Sequence, residues 1–97
     1  MVKGNVFTHS VELSTTGAVS ISLSTVVGTD VNLIQQLTVQ MKSDNAASMA
    51  IGDSNVAVDG RGVTLAAGKD YTLVNAHHKD IYLVGTVSDV ANIIGVI

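Results

Sequence analysis

The chain has 97 residues, of which 46% are hydrophobic, 13% charged and 3% aromatic, with nine Gly and no Pro, Cys or Trp. That length holds one domain, and a domain so small buries only about 60–65% of the surface its unfolded chain exposes, so a modest core is expected and a deep enzymatic cleft is not. The lack of Cys excludes a disulfide framework, a thiolate metal site and a cysteine nucleophile, while five scattered basic residues (Lys3, Lys42, Arg61, Lys69, Lys79), a formal net charge of −3 and three aromatic rings exclude a basic or stacking platform for nucleic acid.

Met1 to Asn5 lacks apolar periodicity and contains Lys3 and Gly4, which predicts a short arm over residues 1–5 that orders on contact. The first strand follows, with Phe7, His9, Val11 and Leu13 on one face and Thr8, Ser10 and Glu12 on the other. Ala18 to Thr25 alternates strictly, Val19, Ile21 and Leu23 against Ser20, Ser22 and Ser24, and predicts a long strand with one apolar and one flat, uncharged face. Gly28 to Gln36 has room for a helical turn with Asp30 as N-cap, but reads as a loop. A third strand places Leu37, Val39 and Met41 opposite Thr38, Gln40 and Lys42.

The second half is made of shorter apolar pieces: Ser48 to Gly52, Val56 to Val58, Val63 to Leu65, Tyr71 to Val74, Ile81 to Val84 and Asn92 to Ile97. Turn residues separate them, among them Gly52-Asp53-Ser54-Asn55, Asp59-Gly60-Arg61-Gly62 and Ala67-Gly68-Lys69-Asp70. Val, Ile and Thr number 16, 7 and 9, and these β-branched types favour pleated strands. The expected fold is all-β: one small antiparallel β-sandwich over residues 1–97, immunoglobulin-like or jelly-roll-like, with about seven or eight short strands. Its expected inward residues are Val11, Leu13, Val19, Ile21, Leu23, Leu37, Val39, Met41, Ile51, Val63, Leu65, Leu73, Ile81, Leu83 and Val96.

Little chemistry is legible. His77 and His78 are adjacent, point to opposite faces if in a strand, and lack a further Cys, His or Glu nearby, so they read as a polar turn rather than a zinc site. His9 shares the face of Phe7 and Val11 and reads as a half-buried, hydrogen-bonded histidine. One Glu and seven Asp are present, and four of the Asp (Asp44, Asp53, Asp59 and Asp89) sit beside Gly, Asn or Ser as turn residues. Asp53, Asn55, Asp59 and Gly60 loosely resemble a calcium loop without its closing bidentate Glu. No G-x-S-x-G elbow or phosphate-binding loop occurs. The expectation is a non-enzymatic chain without cofactor or metal. No apolar run of signal-peptide or membrane-span length is found, so the chain is expected to be made and kept in cytoplasm. A mean hydropathy of +0.42 with so few charges points to surface covered by other chains.

The run AIGDSNVAVDGRGVTLAAGKDYTL from Ala50 to Leu73, followed by IYLVGTVSDVANIIGV from Ile81, resembles the small β-sandwich virion proteins of tailed bacteriophages. The likeness lies in the order of strands and turns across the second half, not in a catalytic signature. It implies a structural virion component made in the host cytoplasm, most plausibly a capsid decoration or cement protein. The implied partners are copies of itself, as a homotrimer, and the major capsid protein or other virion proteins, with neither nucleic acid nor membrane involved. A head-completion, tail or fibre-base component is the alternative, and a carbohydrate-binding sandwich ranks last because exposed aromatic rings are few. The expected partner contacts are the arm (Met1, Val2, Lys3, Gly4, Asn5) and the loop residues Val26, Val27, Thr29, Asp53, Asn55 and Arg61.

Overall fold

A computed structural model describes residues 4–31, 33–58 and 60–97, which form eight strands in two antiparallel sheets of four, a small β-sandwich. In chain order the elements are β1 (Val6–Glu12), β2 (Val19–Ser20), α1 (Ser24–Val27), β3 (Leu33–Met41), β4 (Met49–Gly52), β5 (Val63–Leu65), β6 (Asp70–His77), a 3₁₀ turn (His78–Asp80), β7 (Tyr82–Val84) and β8 (Val90–Val96). The first sheet is ordered β1-β8-β3-β6 and the second β2-β7-β4-β5. Only β4 and β5 are neighbours both in sequence and in a sheet; every other connection crosses between the sheets. The sandwich therefore closes through pairings far apart in the chain.

Alternation along the strands builds the core between the sheets. Leu13, Leu37, Val39 and Met41 from the first sheet's side meet Met49, Ile51, Leu65 and Leu83 from the second, all buried. Val11, Val19, Val63 and Leu73 are half-buried against the same cluster. Phe7 stands opposite Gly95 in register, and a Cβ placed on Gly95 would lie 2.6 Å from the Phe7 ring. The ring occupies the space that a side chain at 95 would need, so glycine is required there for packing.

Three expectations are corrected. Ala18 to Thr25 is not a continuous strand: only Val19 and Ser20 pair with β7, Ile21 donates one bond to Ile81 O at 2.9 Å, and the chain then turns into α1. The ladder stops because the Leu23 N–H is taken by a side chain, as described below. A helical turn accordingly lies at Ser24–Val27, and Gly28 to Gln36, expected as a loop, gives up its end to β3, which begins at Leu33 because Leu33 to Gln36 pairs with His77 to Val74. In β8, Ala91, Ile93 and Gly95 point inward, and Val96 lies beside Val6 on the outer side. With no side chain at Gly95, N-I-I-G-V-I reads equally well in either phase, and a one-residue slip exchanges the faces.

β3 and β6 change phase together. Ile34 and Leu37 are both buried and Leu73 and Ala76 both pack on the core, three residues apart, although the register is unbroken. The shift falls at Gln35 and Asn75, the one position in the run without a paired bridge, and Asn75 has φ 51°. Asn tolerates this left-handed region better than most residues.

Candidate interaction surface

The outer face of the first sheet follows from the same alternation. Register places Val6, Val96, Gln36 and Val74 in one row across the four strands, then Thr8, Ile94, Thr38 and Thr72, then Ser10, Asn92, Gln40 and Asp70. Asp70 is the one ionisable side chain among these three rows. Val6, Val74 and Ile94 are 61%, 68% and 50% exposed. A solvated sheet face ordinarily carries Lys, Glu and Arg; these three rows carry hydroxyls, amides and β-branched apolar groups, and a second carboxylate returns only beyond them, at Glu12 opposite Val90. Ser10 Oγ donates to Asn92 Oδ1 at 2.7 Å and the Thr38 and Thr72 hydroxyls bond at 2.9 Å, which fixes side chains across strand pairs. A shallow groove of about 450 Å³ lies over the second and third rows.

The residues expected to contact partners are dispersed. Met1, Val2 and Lys3 lie outside the described residues. Gly4 and Asn5 do not form a free arm: Gly4 N–H donates to Ile97 O and Ile97 N–H donates to Asn5 O at 3.2 Å, so they prolong the pairing of β1 with β8. Val27 is 1% exposed and belongs to the core, closing α1 against it, so it offers nothing to a partner. Val26 is half-buried on the same cluster, and Thr29 is exposed. Asp53, Asn55 and Arg61 do come together, around an open groove of about 420 Å³ with Gly62. There Asp53 Oδ1 accepts the Asn55 N–H at 2.9 Å, the turn bond expected of such an aspartate. Asp59, from the calcium-like run, and Asn32, at the end of the other loop, are not among the described residues.

Two buried polar groups were not legible as such. His78 is fully buried, not a polar turn residue: its Nδ1 accepts the Leu23 N–H at 2.8 Å and its Nε2 lies 2.7 Å from Val31 O. His77, at the end of β6, is exposed. Asp89 is 6% exposed and accepts the N–H groups of Ala46 and Ala47 at 2.8 and 3.1 Å. Beside it the Asn45 side chain both accepts from Val90 N and donates to Val90 O, at 2.8 and 2.9 Å. These groups pin the ends of elements. Neither stands in a cluster, and among the described residues no three His, Cys, Asp or Glu stand close enough together to hold a metal ion.

Comparison with protein-family models, with curated proteins and with solved structures finds no match. Function is therefore argued from the fold and from this surface.

Proposed function

We propose that the chain is a non-enzymatic structural component of a bacteriophage particle, a capsid decoration protein that binds the head shell through the outer face of its first sheet. The observation that carries the reading is the low charge over three rows of that face: spanning four strands, they contain one carboxylate, with Val6, Val74 and Ile94 exposed between hydroxyls and amides, and Glu12 lies at their margin. Interface centres are depleted of charge in this way. Strand spacing of about 4.8 Å makes the four strands about 19 Å wide, and three rows about 7 Å apart give a face of a few hundred Å². That is about half of the ~800 Å² each partner contributes to a stable complex. Attachment by one copy is thus modest, and contacts between copies reinforce it by multivalency.

The test is to mix the protein with undecorated heads and image the particles. Regular added density at lattice positions, lost with Ile94→Lys, supports the reading, and binding should survive moderate salt because burial rather than ion pairing drives it. Bare heads overturn it. The row Ser10, Asn92, Gln40 and Asp70 under the groove is the polar set a sugar-binding reading would use, so a glycan screen run in parallel separates the two.

A further inference from the structure

β6 is an outer strand of the first sheet, paired with β3 on one side and in substantial contact with no other described element. Its hydrogen-bonding phase is fixed at its start, where Met41 N–H donates to Lys69 O at 2.8 Å and Met41 O accepts from Gly68 N–H at 2.9 Å. Antiparallel pairs alternate between bonded and non-bonded. Tyr71 and Leu73 therefore spend their backbone groups on β3, whereas the N–H and C=O of Asp70, Thr72 and Val74 point out of the open edge. The 2.9 Å approach of the Thr38 and Thr72 hydroxyls agrees, since side chains lie closer in non-bonded pairs. Asp70 is the one charged side chain over Asp70 to Val74, where the edge carries no Pro, no Lys and no covering element among the described residues. Tyr71 is 40% exposed and Val74 68%.

We propose that this edge pairs antiparallel with β6 of a second copy, about a two-fold axis through Thr72. Three conditions select the register. Open-edge residues must face open-edge residues, outer side chains must face outer side chains, and the pairing must stay within Asp70 to Val74, because Asn75 leaves the extended region. Thr72 then stands opposite Thr72 of the second copy, Asp70 opposite Val74 and Tyr71 opposite Leu73, with six backbone bonds exchanged. Charge selects the same register. The two Asp70 carboxylates lie about 14 Å apart along the strands, beyond the ~10 Å screening length at 0.1 M salt, whereas a shift one step the other way brings them within about 7 Å. Tyr71 and Leu73 cover each other on the inner side, which a polar peptide strand would not do. A five-residue contact is only about 17 Å long, a small fraction of what an obligate dimer buries, so the dimer forms with rising concentration. The row through Thr72 then runs unbroken across eight strands. This deepens the self-association in the proposed reading, but it is measured on the protein alone and stands or falls independently of any role on a capsid.

The chain has no cysteine, so Thr72→Cys introduces a unique thiol. In the paired register two such residues have Cα atoms about 5.5 Å apart, a separation that a short bismaleimide linker spans. Sedimentation equilibrium of the whole chain should show the mass rising with concentration from 10.0 kDa to twice that value. Treated with that linker, T72C should become a covalent dimer, while Ser10→Cys, on the opposite edge strand, should not. Val74→Lys should remain monomeric where the parent chain is dimeric, with an unchanged circular dichroism spectrum. A monomer at all concentrations, a trimer, or a dimer in which T72C cross-links no faster than S10C overturns the proposal.

Discussion

The backbone N–H of Leu23 meets Nδ1 of His78 at 2.8 Å, a bond between residues 55 apart in the chain that ends one strand and begins a helical turn. An N–H only donates and a carbonyl only accepts, so the ring must be neutral, with its proton on Nε2 directed at Val31 O. One side chain thus closes the segment from Leu23 to Val31.

Replacing His78 by Ala leaves the Leu23 N–H and the Val31 carbonyl without their partner in a dry site and opens a cavity. A loss of about 2–4 kcal/mol in urea unfolding is expected. Long-range ¹H–¹⁵N spectra of the parent chain should report the Nε2–H tautomer, and the Nδ1–H tautomer would contradict the arrangement.

Gly95→Ala drives a Cβ to 2.6 Å from the Phe7 ring and 3.0 Å from Gln36 O. Overpacking of this kind costs about 1–3 kcal/mol. In a Phe7→Ala background the ring is gone, so the same change should cost distinctly less. A double-mutant cycle showing purely additive effects would mean the ring is not what excludes the side chain.

Asp89→Ala removes the acceptor of the Ala46 and Ala47 N–H groups. Hydrogen bonds to a charged group are worth about 1.5–3 kcal/mol each, so a loss of about 3–6 kcal/mol is expected for the two. Amide exchange should quicken first around residues 43–48. Uniform acceleration through the sandwich would instead indicate that the loop and core open as one unit.

Ile93 and Ile94 give a paired test of the two faces of β8. Ile93 is 2% exposed and its replacement by Ala should cost about 2–5 kcal/mol, whereas Ile94→Lys should change stability by less than about 0.5 kcal/mol. The second variant should lose attachment while unfolding at the denaturant concentration of the parent chain.

How much of this was legible depends on where each constraint originates. β1 could be read from alternation alone, because Phe7 to Leu13 answers only to its two faces, and β5 was read with its observed bounds, Val63 to Leu65. The break after Ser20 was not legible, since the acceptor that ends the strand is a histidine 55 residues beyond Leu23. Nor was the full length of β6: an edge strand exposed on nearly every residue has no two-fold burial pattern to reveal it. The contacts expected from sequence lie in the N-terminal arm and the loops. The low-charge face instead arises from register between strands up to 90 residues apart, which no single segment of sequence displays.

The bond from Gly4 to Ile97 joins the outer end of β1 to the outer end of β8, whose antiparallel pairing begins at Val6 and Val96. A force pulling these two ends apart meets the ladder one rung at a time, like a zipper opened from its slider, and never loads all the rungs together in shear. Mechanical resistance along that axis should therefore be low. In the proposed decoration role, strength would depend on load entering through the sheet faces and edges instead.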